Sequence, residues 1–263
     1  MIDTHLHVWD TGAVRIPWLA DAGLPARAPV PDGQDRRYVL VEADAPDPAE
    51  EAAWLISLAQ QDPRVHGVVA SVALELPQAE RALASLAEVP QVVGVRRLLQ
   101  DRELFDSAAL VEGLKRLADR GLPFDACVRD RELPRLLALL EQVPELTVVL
   151  DHMGKPNPRD GVALEAWQRN LARLAELDRV HCKLSGLPAE CRDVDELECH
   201  AADIVDVALE TFGAERCLLG SDSPISQDPK DWCERVLARV PAEKRRAVAE
   251  DNALYIYHRR DAR

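Results

Sequence analysis

The chain has 263 residues, 47% of them hydrophobic and 30% charged, a balance that excludes a disordered chain. Its 32 basic and 46 acidic residues leave a net charge of −14. A surface that acidic repels phosphate backbones and anionic lipids, so neither nucleic acid nor a membrane is an expected partner. The longest apolar stretch, Val68 to Leu74 broken by Ser71, is far shorter than the ~20 residues of a membrane span. The opening Met1-Ile-Asp-Thr-His lacks a basic or apolar leader, and a cytoplasmic location is the expectation.

At about 150 residues per domain, this length suits two small domains or one α/β barrel. No repeat, low-complexity run or Gly/Ser linker divides the sequence. In chain order, β-branched runs predict strands at Ile2–His7, Tyr38–Glu42, Val65–Ala73, Val92–Arg96, Phe124–Val128, Thr147–Leu150, Val180–Leu184 and Cys217–Gly220. Between them, apolar residues at i, i+3, i+4 and i+7 predict helices at Pro48–Gln61, Pro77–Ala87, Ser107–Asp119, Arg131–Gln142, Val162–Glu176 and Val194–Phe212. Eight strands alternating with helices pair in parallel through right-handed crossovers, and eight is the number that closes a (β/α)₈ barrel. An open doubly wound sheet would place a Gly-rich phosphate loop after its first strand, and none stands here. The expectation is therefore an α/β, single-domain TIM barrel over residues 1–263. The Pro- and Gly-rich segment at about 10–35 then reads as a long loop walling the pocket.

Six cysteines, Cys127, Cys182, Cys191, Cys199, Cys217 and Cys233, show no CxxC spacing and read as reduced, mostly buried thiols. No P-loop, GxGxxG or GxSxG motif occurs, which removes phosphate-loop and serine-hydrolase readings.

Barrel chemistry sits at the C-terminal ends of the strands. Those ends carry His5 and His7, Glu42, Arg96 and Arg97, Asp125 and Cys127, Asp151 and His152, Lys183, and Asp222. Packing alone does not select apolar runs that end repeatedly in ionisable residues, so the pattern points to an enzyme. His5 and His7, at i and i+2 on a strand, turn both imidazoles to one face about 7 Å apart. Such a pair either holds a divalent ion, zinc suiting nitrogen ligands, or serves as hydrogen-bonding core. Asp222, in Gly220-Ser221-Asp222-Ser223-Pro224, is a metal ligand, a base for water, both, or the residue of an Asx-turn. His152 follows the sixth strand, where it either faces the mouth or is a hydrogen-bonded histidine behind it. Lys183, a mid-strand lysine, needs a partner: it binds a carboxylate or hydroxyl, acts as a base, or pairs with Asp222 or Glu42. His66, His181, His200 and His258 occupy strand starts, a helix and the tail, and are given no chemical role.

These residues resemble the amidohydrolase superfamily, in particular the amidohydrolase-2 branch that includes sugar-lactone and 2-pyrone-4,6-dicarboxylate lactonases. The matching stretches are Ile2-Asp-Thr-His-Leu-His-Val-Trp-Asp10, Gly94-Val-Arg-Arg97, Phe124-Asp-Ala-Cys-Val-Arg129, Leu150-Asp-His-Met-Gly-Lys-Pro156, Lys183-Leu-Ser-Gly-Leu187 and Gly220-Ser-Asp-Ser-Pro224. Asn252-Ala253, with Tyr255 and Tyr257, is similar to the branch's closing helix. The resemblance implies a hydrolase that opens a small sugar-acid lactone by water attack. His5, His7 and Asp222 would be the metal set, His152 would polarise the substrate, and Arg96 would grip its oxygens. Metal-dependent relatives place a further histidine where this chain has Asp125 and Cys127, and a bridging lysine or glutamate where it has Arg96. A single, dispensable divalent ion, zinc first, is therefore implied rather than a pair. Ser223 replaces the usual Trp of the last motif, a position bearing on substrate choice.

In that scheme Asp222 is the base, with His152 beside it. Glu42, Arg96 and Lys183 bind ring hydroxyls or a carboxylate, and Trp9 and Trp18 form an apolar wall. The alternatives are a metal-dependent decarboxylase of an aromatic or muconate-like acid, a Schiff-base aldolase using Lys183, and a non-catalytic sugar-binding barrel.

Overall fold

The computed structural model describes residues 1–101, 103–226 and 229–258. Eight parallel strands follow one another around a barrel in sequence order. They are β1 (Ile2–Leu6), β2 (Arg37–Val41), β3 (Val65–Ser71), β4 (Val92–Leu98), β5 (Phe124–Cys127), β6 (Val148–Leu150), β7 (Val180–Leu184) and β8 (Cys217–Leu219). Each expected strand lies within one or two residues of these bounds. Between β1 and β8 the ring closes through backbone bonds from Asp222 N–H to His5 O (2.8 Å) and from His7 N–H to Ser223 O (2.8 Å). The Thr4 hydroxyl adds a bond to Leu219 O. The last strand is short, and the segment after it makes the seam.

Alternation along the strands sorts the core. Val39 and Val41 point inward with Ile2, Val69, Val93, Val149 and Leu218, over Tyr257 and Ile256 of the C-terminal helix Asn252–Ile256 and the residue after it. Leu40 points outward onto Leu55 and Ala59 of α1 (Pro48–Gln61). The outer layer continues with α2 (Ala79–Ala87), α3 (Ala108–Asp119), α4 (Leu133–Leu140), α5 (Gly161–Ala175), α6 (Val194–Phe212) and α7 (Pro229–Arg239). Their starts are written locally. Asp47, Ser107, Asp160 and Asp193 each accept hydrogen bonds from the first free backbone amides of the helix they precede, and Pro48 opens α1.

Among the described residues, seven such helices serve eight strands. Between β1 and β2, where a crossover helix would lie, the chain instead forms a cap. It holds a two-residue antiparallel ribbon (Trp9–Asp10 with Arg27–Ala28) and one helical turn (Trp18–Asp21). The expected long loop is thus a small structured element around Trp9, Val14, Ile16, Leu19 and Ala28. The six cysteines are free, four of them buried, as expected of structural thiols. No helix among the described residues is long and apolar enough to cross a membrane.

Candidate active site

His5 and His7 present their rings side by side at the C-terminal end of β1, centroids 5.0 Å apart. The His7 ring is fixed from behind, where Nδ1–H donates to Val41 O at 3.0 Å and leaves the Nε2 lone pair facing the mouth. Asp222, just beyond β8, adopts φ +59°, a left-handed conformation that Asp tolerates better than most residues. That turn aims Oδ1 at three imidazoles: His7 Nε2 at 3.6 Å, His5 Nε2 at 3.7 Å and His152 Nε2 at 3.9 Å. Oδ2 accepts the Ser226 hydroxyl at 2.9 Å.

His152 is mounted on an unusual turn. His152, Met153, Gly154 and Lys155 all have positive φ, between 50° and 73°, one left-handed turn directly after β6. Outside glycine such a conformation costs roughly 1–2 kcal/mol per residue, so the surroundings must hold it in place. Trp167 of α5 does so by donating its indole N–H to Met153 O at 2.6 Å. The ring is set by Ser185, whose hydroxyl lies 3.0 Å from Nδ1. Gly186 and Gly220 leave room for the histidines. A Cβ on Gly220 would approach His5 Cβ to 2.9 Å.

The charges agree with a cation site. Burial pushes the His152 imidazole down to about 4 and the His5 imidazole well below its usual range, so both are neutral near pH 7. Burial alone would raise the Asp222 carboxyl, but the imidazoles of His152, His7 and His5 outweigh it and hold the group well below the carboxylate range. Four buried carboxylates, Asp222, Asp151, Asp125 and Glu42, face two buried cations, Lys183 and Arg96. His5 Nε2 has no hydrogen-bond partner although it is buried. His5, His7 and Asp222 offer donor atoms within 4.8 Å of one another. Tetrahedral zinc with bonds of 2.0–2.1 Å separates its ligands by about 3.4 Å, close to the spacings found. The residues present fit a divalent ion.

The other expected residues divide. Arg96 and Glu42 pair with each other: the guanidinium binds the Glu42 carboxylate and, at 2.6 Å, the Glu42 carbonyl. Lys183 pairs with Asp125 and, at 3.1 Å, with Asp151, not with the expected Asp222 or Glu42. It is 0% exposed, its ammonium enclosed by these carboxylates and the His5 ring. Burial would lower its ammonium, but Asp125 and Asp151 outweigh that and raise it, the opposite of what a Schiff-base amine needs. Trp9 is packed inside the cap cluster, 1% exposed, with its N–H on Pro25 O. Trp18 is half-buried and bonds Ala43 O, directly after Glu42, which keeps it at the rim. His66 and His181 bond the backbone carbonyls of Tyr257 and Arg179.

Three contributors escaped the sequence reading: Ser185 behind His152, Tyr257 beneath Asp125, and Glu51. The Tyr257 hydroxyl donates to Asp125 Oδ1 at 2.8 Å. Glu51, on α1, accepts the Ala43 N–H at 2.6 Å. Ser185 and Tyr257 lie in motifs already matched, but nothing in their local pattern says where they point.

The family described as Amidohydrolase (Amidohydro_2) matches residues 2–259, and the chain belongs to it. An L-fucono-1,5-lactonase from Burkholderia multivorans is 32% identical over 97% of this chain and 92% of its own length. A crystal structure of an amidohydrolase from the same species, with bound zinc, superposes with a TM-score of 0.86 at 29% identity, covering 98% of this chain and 99% of that one. A putative 2-pyrone-4,6-dicarboxylic acid hydrolase from Pseudomonas putida shares the fold, with a TM-score of 0.76 at 24% identity over 97% and 96% of the chains.

Proposed function

We propose that the protein hydrolyses a small sugar-acid lactone at the mouth formed by His5, His7, His152 and Asp222, with a single zinc ion on His5, His7 and Asp222. The observation that carries the reading is the whole-length likeness to an L-fucono-1,5-lactonase, which the cluster around Asp222 Oδ1 equips with the chemistry required.

Ring opening requires a base for water, polarisation of the carbonyl and a proton for the leaving alkoxide. Ionised Asp222 takes the proton as the water oxygen bonds to the carbonyl carbon. With the Ser185 hydroxyl, 3.0 Å from His152 Nδ1, acting as donor, the imidazole proton sits on Nε2, where it donates to the developing oxyanion. When the intermediate collapses, the ring C–O bond breaks and the alkoxide receives the proton Asp222 had taken, giving the open hydroxy acid. A bound divalent ion supplies Lewis acidity to this carbonyl and water. The Arg96–Glu42 pair offers donors and acceptors to ring hydroxyls, and Trp18 an apolar edge.

Decarboxylation on the same barrel finds no support in the fifth-strand position, where Asp125 is engaged by Lys183 and Tyr257. A panel of aldonolactones followed with a pH indicator tests the proposal. Proton release with at least one neutral sugar lactone is expected, and no turnover across the panel by zinc-loaded and chelator-treated enzyme would overturn it.

A further inference from the structure

We infer that Lys183 is a positioning residue that opposes Asp151 at His5 Nδ1, fixes the tautomer of His5, and thereby sets how tightly the mouth holds a divalent ion. The inference rests on His5 being a cation ligand, as proposed above, but on no particular substrate.

Two groups meet at His5 Nδ1 and demand opposite things of it. Asp151 Oδ1, 3.2 Å away, is an acceptor and favours a proton on Nδ1. Lys183 Nζ, also 3.2 Å away, carries three N–H donors and no lone pair, so it can only donate. It hydrogen-bonds Asp125 and His5 Nδ1, and lies 3.1 Å from Asp151 Oδ1 as an ion pair, an oxygen that has no hydrogen-bond partner of its own. All of these groups are fully buried. Asp125 is in turn held by the Tyr257 hydroxyl, so the ammonium is anchored from the floor of the barrel.

When Lys183 donates to Nδ1, the proton of the neutral imidazole resides on Nε2. That nitrogen faces Asp222 Oδ1 at 3.7 Å and lacks a hydrogen-bond partner. A cation ligand needs the Nε2 lone pair. Loading a cation therefore moves one proton from Nε2 to Nδ1, where Asp151 accepts it, while Lys183 gives up one contact and keeps both carboxylates. No proton leaves the site. His7 has no such choice, because Val41 O fixes its proton on Nδ1. The two histidines of the pair differ: His7 is a ready ligand, and His5 becomes one only against Lys183.

The test uses full-length protein labelled with 15N-histidine, treated with chelator, the His5 resonances being identified by their loss in His5→Asn. An Nε2–H tautomer is expected in the wild type and an Nδ1–H tautomer in Lys183→Met. Competition for zinc ion against a chromophoric chelator should then show opposite effects. Lys183→Met is expected to bind zinc about 10-fold more tightly, and Asp151→Asn about 10–100-fold more weakly, the usual effect of losing the carboxylate behind a ligating imidazole. An Nδ1–H tautomer in the metal-free wild type overturns the inference, as do zinc affinities that move in the same direction in both variants. If Lys183→Met does not fold, the wild-type tautomer still decides. A failed lactone panel alongside the expected tautomers removes the lactonase reading alone.

Discussion

Gly186 and His152 are in mutual contact so close that a methyl group on the Gly186 Cα would lie 2.3 Å from His152 Nδ1 and 2.6 Å from Cγ. The glycine, at φ +72°, begins the loop after β7, and the histidine sits on the left-handed turn after β6. Neighbouring strands thus hold the imidazole from both sides.

Gly186→Ala should therefore displace the ring and break its bond to Ser185. We expect turnover to fall at least about 10-fold, together with roughly 1–2 kcal/mol of backbone strain in urea unfolding. Gly121→Ala is the matched control. It has φ +63° and nothing within 4 Å of its would-be Cβ, so it carries the strain without the collision. If both variants keep the same activity, His152 is not held in the way described.

Asp222→Asn keeps the shape of the side chain, and Asn tolerates the φ of +59°. It removes the base, so a loss of at least the ~10²-fold typical of general-base catalysis is expected, with an unchanged circular dichroism spectrum. Because the surrounding imidazoles keep Asp222 ionised far below neutrality, the wild-type rate should not decline between pH 7 and 5 through this group. A decline centred in that range would assign the base elsewhere.

Glu51 links stability to pH. Burial, and then the neighbouring Glu42 carboxylate, push its carboxyl up to about 7 from an ordinary 4.5. The group favours the folded state fully below about 4.5, and that contribution is lost as pH rises through 7. The shift amounts to about 3 kcal/mol. Glu51→Gln should flatten this dependence, seen as a smaller fall in the urea midpoint between pH 5 and 8 than in the wild type. Equal falls would mean that Glu51 is ionised throughout.

Zinc added to chelator-treated protein should raise the melting temperature. At a hundredfold excess over Kd the gain is about 2.7 kcal/mol, which for a chain of this size is about 5–10 °C. His7→Asn should abolish the shift, whereas His200→Asn on α6 should leave it intact. A shift that survives His7→Asn would place the ion at another site.

The barrel was legible because β-branched runs and helical periodicities alternate over the whole chain, and the mouth because His5, His7, His152 and Asp222 each directly follow or end an apolar run. What lay beyond sequence reading were choices made by distant partners. Lys183 takes Asp125, 58 positions away, over Asp222 or Glu42, since only closure of the ring brings β5 and β7 to a common floor. Trp9 looked like a mouth residue because it follows His7, yet a ribbon of two residues per strand, too short to leave a periodic signature, folds it into the cap. The left-handed turn was equally hidden. Met and Lys carry no preference for positive φ, His only a modest one, and Gly154 alone hints at the turn clearly.

The seam between β1 and β8 coincides with the chemistry. His5 and His7 stand on one lip, Asp222 on the other, and the backbone bonds Asp222–His5 and His7–Ser223 join the same residues. Anything that bridges these side chains is also a clasp on the cylinder, and the hoop is fastened where it does its work. Occupancy of the mouth is then a mechanical event. The amide protons of His7 and Asp222 should exchange with deuterium more slowly when the clasp is shut, while those of β4 and β5, on the far side of the hoop, remain indifferent to it.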